Sequence, residues 1–187
     1  MADPYTAGRV VTPLEGTGHR PWDPSAGIAA PLCLHQPTVL PQWVDYNGHM
    51  SESCYLLVFG DNSDAFFRYV GIDEDYRDKG GQSLYTVETH LHNLREASEG
   101  EPLRLTLQLL DLDEKRLHIF HAMHHGVSGE LLATAEQMLV HVNMAQGRSV
   151  VMPGELYGRL LAIRAAHAVL STPPQVGHTI GFRRKPV

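Results

Sequence analysis

Four segments of alternating apolar and polar residues follow one another along the chain, and they constrain the fold more than any other feature. In the clearest, over residues 103–109, four leucines alternate with Arg104, Thr106 and Gln108. The others span residues 84–94, 117–125 and 131–143. Alternation with a period of two indicates strands with one buried face, and the short segments between them carry turn-forming residues. The pattern predicts an antiparallel meander.

A long helix is predicted before these strands, over residues 51–70, with Ser51 as its cap and Gly71 at its end. One apolar stripe comprises Tyr55, Phe59, Phe66 and Val70. The apolar arc is widened by Leu56, Leu57 and Phe67, and a separate polar stripe comprises Asp61, Asp64 and Arg68. A helix with so wide an apolar arc is expected to be wrapped by a sheet.

The remaining regular segments complete an α+β pattern. Residues 32–44 have the composition of an extended strand, and residues 155–170 predict a second amphipathic helix. The order is therefore strand, long helix, four strands, helix. An apolar helix beside an antiparallel sheet favours a layered α+β packing.

The chain has 187 residues, which fits one domain. We assign residues 32–170 to this domain, residues 1–31 to an irregular N-terminal arm and residues 171–187 to a C-terminal tail. The arm is rich in proline and glycine. It is interpreted either as a loose tail or as an arm packed against a partner subunit, and Trp22 is the feature that favours packing.

Charge and composition argue against several classes of protein. The net charge of −6 and the pI of about 6.0 are unlike those of a basic nucleic-acid-binding domain. No apolar stretch approaches the ~20 residues that a membrane helix needs, and the N-terminus lacks the layout of a signal peptide. We therefore expect a cytoplasmic protein without membrane or nucleic-acid partners. Cys33 and Cys54 are expected to be reduced.

Residues 43–55 are the segment with the most chemical potential. On one tight turn ahead of the predicted helix lie Asp45, Asn47, Gly48 and His49. The helix N-terminus exposes N–H groups that would polarise a thioester carbonyl, and Gly48 permits its close approach. Asp45 could attack that carbonyl or activate a water. The alternative is that Asp45 and Asn47 only shape the turn.

This motif carries a family resemblance. The pattern Asp45-x-Asn47-x-His49-Met50-Ser51, followed by Tyr55, resembles that of the 4-hydroxybenzoyl-CoA thioesterase-like hotdog family. The resemblance implies a hotdog fold, in which a curved antiparallel sheet wraps a long central helix, with a further C-terminal helix. It implies that Asp45 is the nucleophile or general base and that a backbone N–H near Glu52 binds the thioester oxygen. The motif is also similar to that of plant acyl-carrier thioesterases, which implies roles for Asn47 and His49.

Further segments resemble one subfamily, the betainyl-CoA thioesterases of carnitine breakdown, which also occur fused to L-carnitine dehydrogenase. These segments are residues 83–90, 113–121 and 132–141. The resemblance implies hydrolysis of a small acyl-CoA, with betainyl-CoA, giving glycine betaine and CoA, as the expected substrate. Coenzyme A is then part of the substrate, and no cofactor is expected. A non-catalytic acyl-CoA-binding protein and a hotdog enoyl-CoA hydratase remain as alternatives.

Other residues are candidates for binding or positioning. Glu88 could orient His49 or a water, within one chain or across a dimer, or it could be an ordinary interface carboxylate. Aromatic faces that could attract a quaternary ammonium group are those of Trp43, Tyr46, Tyr55 and Tyr85. The predicted substrate-binding set is completed by Gly48, Met50, Ser51 and Glu52. Cations available for the CoA phosphates are Arg95, Arg104, Lys115 and Arg116.

The twelve histidines do not predict a metal site. His118 and His121 should point to opposite faces of one strand because their spacing is odd. His121 and His125 could share a face, but no neighbouring ligand completes a zinc site. Nucleotide-binding and α/β-hydrolase motifs are also missing from the sequence. Because a curved sheet around one helix leaves an exposed edge strand, we expect a homodimer or a dimer of dimers.

Overall fold

The computed structural model describes Arg20 and residues 22–182. The helices in this part of the chain are α1 (Glu52–Val70), α2 (Glu74–Asp78) and α3 (Gly154–His167). The strands are β1 (Leu32–His35), β2 (Gln82–Asn93), β3 (Leu103–Leu112), β4 (Arg116–His125), β5 (Leu131–Asn143) and β6 (Arg148–Ser149). The four predicted meander strands and both predicted helices are present. The extended segment predicted over residues 32–44 is a strand only at Leu32–His35, and Pro41–Trp43 forms a short 3-10 helix instead. The short α2 and β6 were not predicted, because neither carries enough residues to show a period.

The strands form an antiparallel sheet in the order β1-β3-β4-β5-β2, and β6 pairs with β5. The predicted meander is confirmed for β3, β4 and β5. It is wrong for β2, which pairs with β5 instead of with β3, its neighbour along the chain. Alternation tells only which residues share a face, so it does not distinguish these two orders. The link between β2 and β3 therefore crosses the molecule.

Helix α1 lies in the concavity of this sheet. Its predicted apolar stripe is buried, with each of the four side chains at most 4% exposed. Phe67, in the wider arc, also packs against the core, but two other residues of the arc and two of the polar stripe were predicted wrongly. Leu56 and Leu57 are 45% and 40% exposed, whereas Asp61 and Arg68 are each 3% exposed. The helix is covered on more than one side along its second half, so a helical wheel drawn for a single buried face misplaces these residues.

Two buried ionisable side chains of α1, Arg68 and Asp61, differ in whether they have ion-pair partners. The Arg68 guanidinium pairs with Asp64 one turn earlier and with Glu74 at the start of α2. Asp61 has no hydrogen-bond or ion-pair partner among the described residues. Burial raises the pKa of the Asp61 carboxyl to about 6, and the nearby Asp64 adds to the shift.

The described part of the N-terminal arm packs against the core of its own chain. The Trp22 ring lies 5.5 Å from the Tyr69 ring between centroids. The His167 side chain of α3 bridges the arm and the sheet, with Nδ1 accepting from the Leu109 N–H at 2.9 Å and Nε2 3.1 Å from the Ala29 carbonyl oxygen. A loose tail therefore does not describe these residues, and packing of the arm on a partner subunit stays a prediction. The earlier part of the arm, residues 1–19 and Pro21, lies outside the described residues.

The C-terminal tail crosses the face of the sheet that is opposite α1, which we call the outer face. The Gln108 amide donates to the Ser171 carbonyl at 3.3 Å, and the Gly177 N–H donates to Glu136 at 2.8 Å. The His178 ring then lies 5.0 Å from the ring of His92 on β2. Residues 183–187 of the predicted tail lie outside the described residues.

A long helix held in a curved antiparallel sheet, with a further helix near the C-terminus, is the predicted α+β hotdog fold. The two cysteines are free thiols, as predicted. None of the helices in the described residues is long and apolar enough to cross a membrane.

Candidate active site

Residues 45–49 form the predicted tight turn. The Asp45 N–H donates to the His49 carbonyl at 3.0 Å, and the Gly48 N–H donates to the Asp45 carbonyl at 3.0 Å. Gly48 has a φ of +83°, a left-handed conformation that glycine adopts without the penalty of a Cβ. Backbone hydrogen bonds and one glycine therefore hold the turn in place just before α1.

The Asp45 side chain takes part in this turn. Its Oδ1 accepts a hydrogen bond from the Asn47 backbone N–H at 2.7 Å. Among the described residues no other group bonds to this carboxylate, so Oδ2 is available to a water or to a carbonyl carbon. Asp45 thus stabilises the turn, as the alternative prediction stated, and its second carboxylate oxygen is still available to act on a substrate.

The start of α1 presents backbone N–H groups beside the turn. Ser51 is the N-cap residue, but its hydroxyl makes no capping bond and lies 3.5 Å from the Ser53 hydroxyl. The N–H groups of Glu52 and Ser53 consequently have no acceptor in the part of the chain that the structure describes. The N-terminus of a 19-residue helix also carries partial positive charge. Both features suit the oxygen of a polarised thioester.

A cavity of about 340 Å³ opens at this point. Six residues predicted from the sequence line it together: Asp45, Asn47, His49, Met50, Glu52 and Tyr55. The opposite wall is formed by residues 93–96, at the end of β2 and the start of the link to β3. Arg95 is the one residue of this wall that the sequence analysis named, as a possible ligand of the CoA phosphates.

Hydrogen bonds hold residues 94–97 to β5, to α1 and to Met50. The Leu94 and Arg95 N–H groups donate to the Leu132 carbonyl at 2.9 and 3.0 Å. The Tyr55 hydroxyl donates to the Arg95 carbonyl at 3.1 Å, and the Met50 N–H donates to the Ala97 carbonyl at 2.7 Å. These bonds join the turn that carries Asp45, α1 and β5 through one short segment.

Two contacts between side chains lie at this wall. The Glu96 carboxylate is 3.3 Å from His49 Nε2, and the Arg95 guanidinium is 2.6 Å from the Glu130 carboxylate. Glu96 was missed by sequence reasoning. It lies 47 positions after His49, and no local pattern indicates that the crossing link returns to the turn.

The structure does not gather the four candidate aromatic residues. Tyr55 lines the cavity, and burial raises the pKa of its hydroxyl. Trp43 packs against a core cluster, and Tyr46 is 96% exposed at the tip of the turn. Tyr85 is half exposed and pairs with Val140 on the outer face. Within one chain, therefore, these residues do not form an aromatic cage.

Glu88 also lies away from the cavity within one chain. It is exposed and lines a different cavity on the outer face, together with His118 and Glu136. A register shift between Thr86 and Glu88 separates it from the first half of β2. Its pairing with the Asp45 turn of another subunit stays a prediction.

A buried network of hydrogen bonds holds the middle of α1 against the sheet. His121 Nδ1 is 2.8 Å from the Asn62 amide nitrogen, and His121 Nε2 is 3.1 Å from Gln137 Oε1. The Ser63 hydroxyl donates to the same Gln137 oxygen at 3.2 Å. Burial lowers the pKa of His121 to about 4. On the other face, His118 contacts Glu136 at 2.7 Å, which confirms that His118 and His121 point in opposite directions.

Within Arg20 and residues 22–182, no group of three or more histidine, cysteine and acidic side chains is arranged to hold a metal ion. The cavity lining presents three carboxylates and one imidazole beside the helix N-terminus. A carboxylate beside unpaired N–H groups suits the hydrolysis of an activated ester.

The chain belongs to the thioesterase-like superfamily, whose family model matches residues 39–160. It is 45% identical over 151 residues to a betainyl-CoA thioesterase from Pseudomonas aeruginosa, a match that covers 81% of this chain and 95% of that protein. It is 44% identical over 183 residues to an L-carnitine dehydrogenase/betainyl-CoA thioesterase from Rhizobium sp. That match covers 96% of this chain but 37% of the relative, so the chain spans little more than a third of the fused protein.

Solved structures have the same fold. A hypothetical protein from Staphylococcus aureus, determined in complex with CoA, is 29% identical with a TM-score of 0.78, covering 85% of this chain and 99% of that one. A candidate thioesterase from Pseudomonas putida is 34% identical with a TM-score of 0.73, covering 84% and 100%. The hotdog fold predicted from the sequence is thus confirmed by both the architecture and these neighbours.

Proposed function

We propose that this chain is an acyl-CoA thioesterase that hydrolyses betainyl-CoA to glycine betaine and coenzyme A. The proposal rests mainly on one observation. Asp45 shares a cavity with the start of α1, and among the described residues neither its second carboxylate oxygen nor the first N–H groups of the helix have hydrogen-bond partners. This chain aligns with nearly the whole of the Pseudomonas aeruginosa relative, and the name of that relative supports betainyl-CoA as the substrate.

In the proposed reaction, water adds oxygen to the thioester carbonyl carbon, the carbon–sulfur bond breaks, and a carboxylate, a thiol and one proton are formed. Asp45 would take the proton from the attacking water, or attack the carbonyl itself to give an acyl–aspartate that water then cleaves. The N–H groups of Glu52 and Ser53 would stabilise the oxyanion in either route. A single turnover in ¹⁸O-labelled water tests the second route, because label in Asp45 appears only if an acyl–aspartate forms and water cleaves it at the aspartyl carbonyl.

The other candidates at the turn would bind substrate. Asn47 and His49 line the same cavity as Asp45 and would contact the thioester group or the acyl chain. Coenzyme A would enter as part of the substrate, so the proposed chemistry needs no cofactor. The Staphylococcus aureus neighbour determined with CoA supports a CoA ester as the ligand of this fold.

We further propose that the chain forms a homodimer through β2. This strand ends the strand order, so one of its edges pairs with no strand of the described chain. Apolar side chains are exposed on this strand, at Tyr85 and Val87, and two more are exposed on α1, at Leu56 and Leu57. Exposed strand edges and apolar patches are commonly covered by a partner. Residues 171–178 cover part of the outer face, so the free edge of β2 is more open to a partner than that face is.

The test of the activity is thiol release from a panel of acyl-CoAs. The panel contains betainyl-, acetyl-, butyryl-, benzoyl- and 3,3-dimethylbutyryl-CoA, and the highest kcat/KM is expected for betainyl-CoA. Tight binding of all the esters without thiol release would establish a binding protein instead. Hydration of crotonyl-CoA without thiol release would establish the hydratase alternative.

A further inference from the structure

The cavity at the start of α1 is acidic. Three carboxylates line it, those of Asp45, Glu52 and Glu96. Among the described residues, Arg95 is the one lysine or arginine in the lining, and its guanidinium is already paired with Glu130 at 2.6 Å. The cavity therefore has more negative than positive charge, with no arginine or lysine in its lining left to balance it.

This charge is unexpected for a site that takes CoA esters in general. The phosphates of coenzyme A make such substrates strongly anionic, so carboxylates near the reacting carbonyl oppose their approach. An acyl group that carries a positive charge reverses the sign of the interaction at the cavity itself. Because only one of the four candidate aromatic residues lines the cavity, cation–π contacts alone do not account for recognition of such a group.

Among the three carboxylates, Glu96 is the one without another assignment. Asp45 is engaged in the turn and in the proposed chemistry, and Glu52 stands in the first turn of α1, where the helix N-terminus attracts its charge. Glu96 lies on the opposite wall, on backbone that is held to β5, Tyr55 and Met50. A substrate carbonyl at the helix N-terminus would direct its acyl group toward that wall.

The contact that Glu96 makes shows what fits beside it. His49 Nε2 lies 3.3 Å from the carboxylate, so a nitrogen-bearing group that can carry positive charge is already accommodated there. The Glu96 side chain is 75% exposed, which leaves room for a second cationic group to approach from the open side of the cavity.

We propose that Glu96 is a specificity-determining residue, which favours acyl groups that carry a positive charge such as a quaternary ammonium. The inference rests on the proposed thioesterase function and adds the residue that distinguishes a charged acyl group from a neutral one. Glu96 acts by attraction across the cavity and takes no part in bond making or breaking.

The test compares two esters of the same shape, betainyl-CoA and its neutral carbon analogue 3,3-dimethylbutyryl-CoA. Glu96→Gln should lower kcat/KM for betainyl-CoA by roughly three- to tenfold, mainly through KM, and leave the neutral ester unchanged or improved. Glu99→Gln is the matched control, because Glu99 is exposed on the same link and does not line the cavity. The control should keep the wild-type ratio of the two substrates.

Salt gives a second readout without any mutation. If an exposed carboxylate attracts the charged acyl group, the wild-type preference for betainyl-CoA should shrink between about 0.05 and 0.5 M NaCl, because salt screens that attraction. The Glu96→Gln protein should show a weaker dependence on salt.

Two results would overturn the inference. An equal loss of kcat for both esters would make Glu96 a positioning residue for His49, and an unchanged substrate ratio would remove it from recognition. Failure of the proposed function looks different, because wild-type protein would then release thiol from neither ester. Circular dichroism and thermal unfolding establish that each variant is folded before its kinetics are compared.

Discussion

The Asp45 carboxylate accepts a hydrogen bond from the Asn47 backbone N–H at 2.7 Å, so the proposed catalytic residue also builds the turn that positions it. Asp45→Asn separates the two roles, because an amide oxygen still accepts that bond but the side chain no longer acts as a base or nucleophile. We expect a loss of about 10²-fold or more in kcat with a nearly unchanged melting temperature. Thiol-release kinetics and thermal unfolding provide the measurements.

Asp45→Ala is the companion variant. It removes the turn bond as well as the chemistry, so it should be about 1 kcal/mol less stable than Asp45→Asn at similar activity. If Asp45→Asn turned over substrate at close to the wild-type rate, Asp45 would be a turn residue only.

Val87 tests the proposed dimer interface. It lies at the register shift in the edge strand β2 and is 60% exposed. Val87→Asp should shift the protein toward monomers at micromolar concentration, because it places a charge in an apolar contact. Sedimentation velocity measures the change. Val127→Asp, at an 82% exposed position in the β4–β5 turn, should leave the mass unchanged. A protein that is monomeric and fully active before mutation would exclude the dimer.

The pKa of His121 predicts acid sensitivity. Its folded pKa, about 4, lies below the ordinary value of 6.5 because burial disfavours the charged ring. Between these values the unfolded chain binds a proton that the folded chain does not, so stability falls as the pH drops from 6.5 toward 4. Burial also lowers the pKa of His141 and His167, which adds to the effect.

Urea unfolding of wild type and His121→Gln at pH 7 and pH 5 checks this prediction. The variant should lose less stability on acidification, by up to ~1.4 kcal/mol per pH unit within the window. An identical pH dependence in the two proteins would show that His121 is not the group that resists protonation.

Asp61 should act in the opposite direction. Its folded pKa of about 6 exceeds the ordinary 3.8, so the folded chain retains a proton that the unfolded chain releases between these values. Stability from this group is therefore present in acid and is lost as the pH rises through 6. Asp61→Asn should stabilise the protein at pH 7.5 by about 1 kcal/mol and remove that part of the pH profile.

The neighbouring Asp64→Asn provides the contrast. Asp64 pairs with the buried Arg68, so its loss should destabilise the protein by about 1–3 kcal/mol at pH 7.5. A loss of stability in both variants would show that Asp61 has a stabilising partner in solution.

The parts of the candidate site that could be predicted are local in the chain. Asp45, Asn47, Gly48 and His49 lie within one turn, and a helix begins a few residues later, so their proximity requires no knowledge of the fold. Glu96 could not be predicted, because its contact with His49 depends on the link from β2 crossing to the far side of the sheet. For the same reason the sequence could not show that Tyr85 on β2 lies away from the turn within one chain.

Short-range order was determined by the sequence itself. Alternation and helical spacing each depend on the geometry of a single element, so the strands, the two long helices and the catalytic turn follow from residues that are neighbours in the chain. Strand order, the burial of Asp61 and Arg68, the exposure of Leu56 and Leu57, and the path of the tail were decided only by tertiary structure. Each of these depends on which surfaces are brought together over long separations, and a periodic pattern fits several such arrangements equally well.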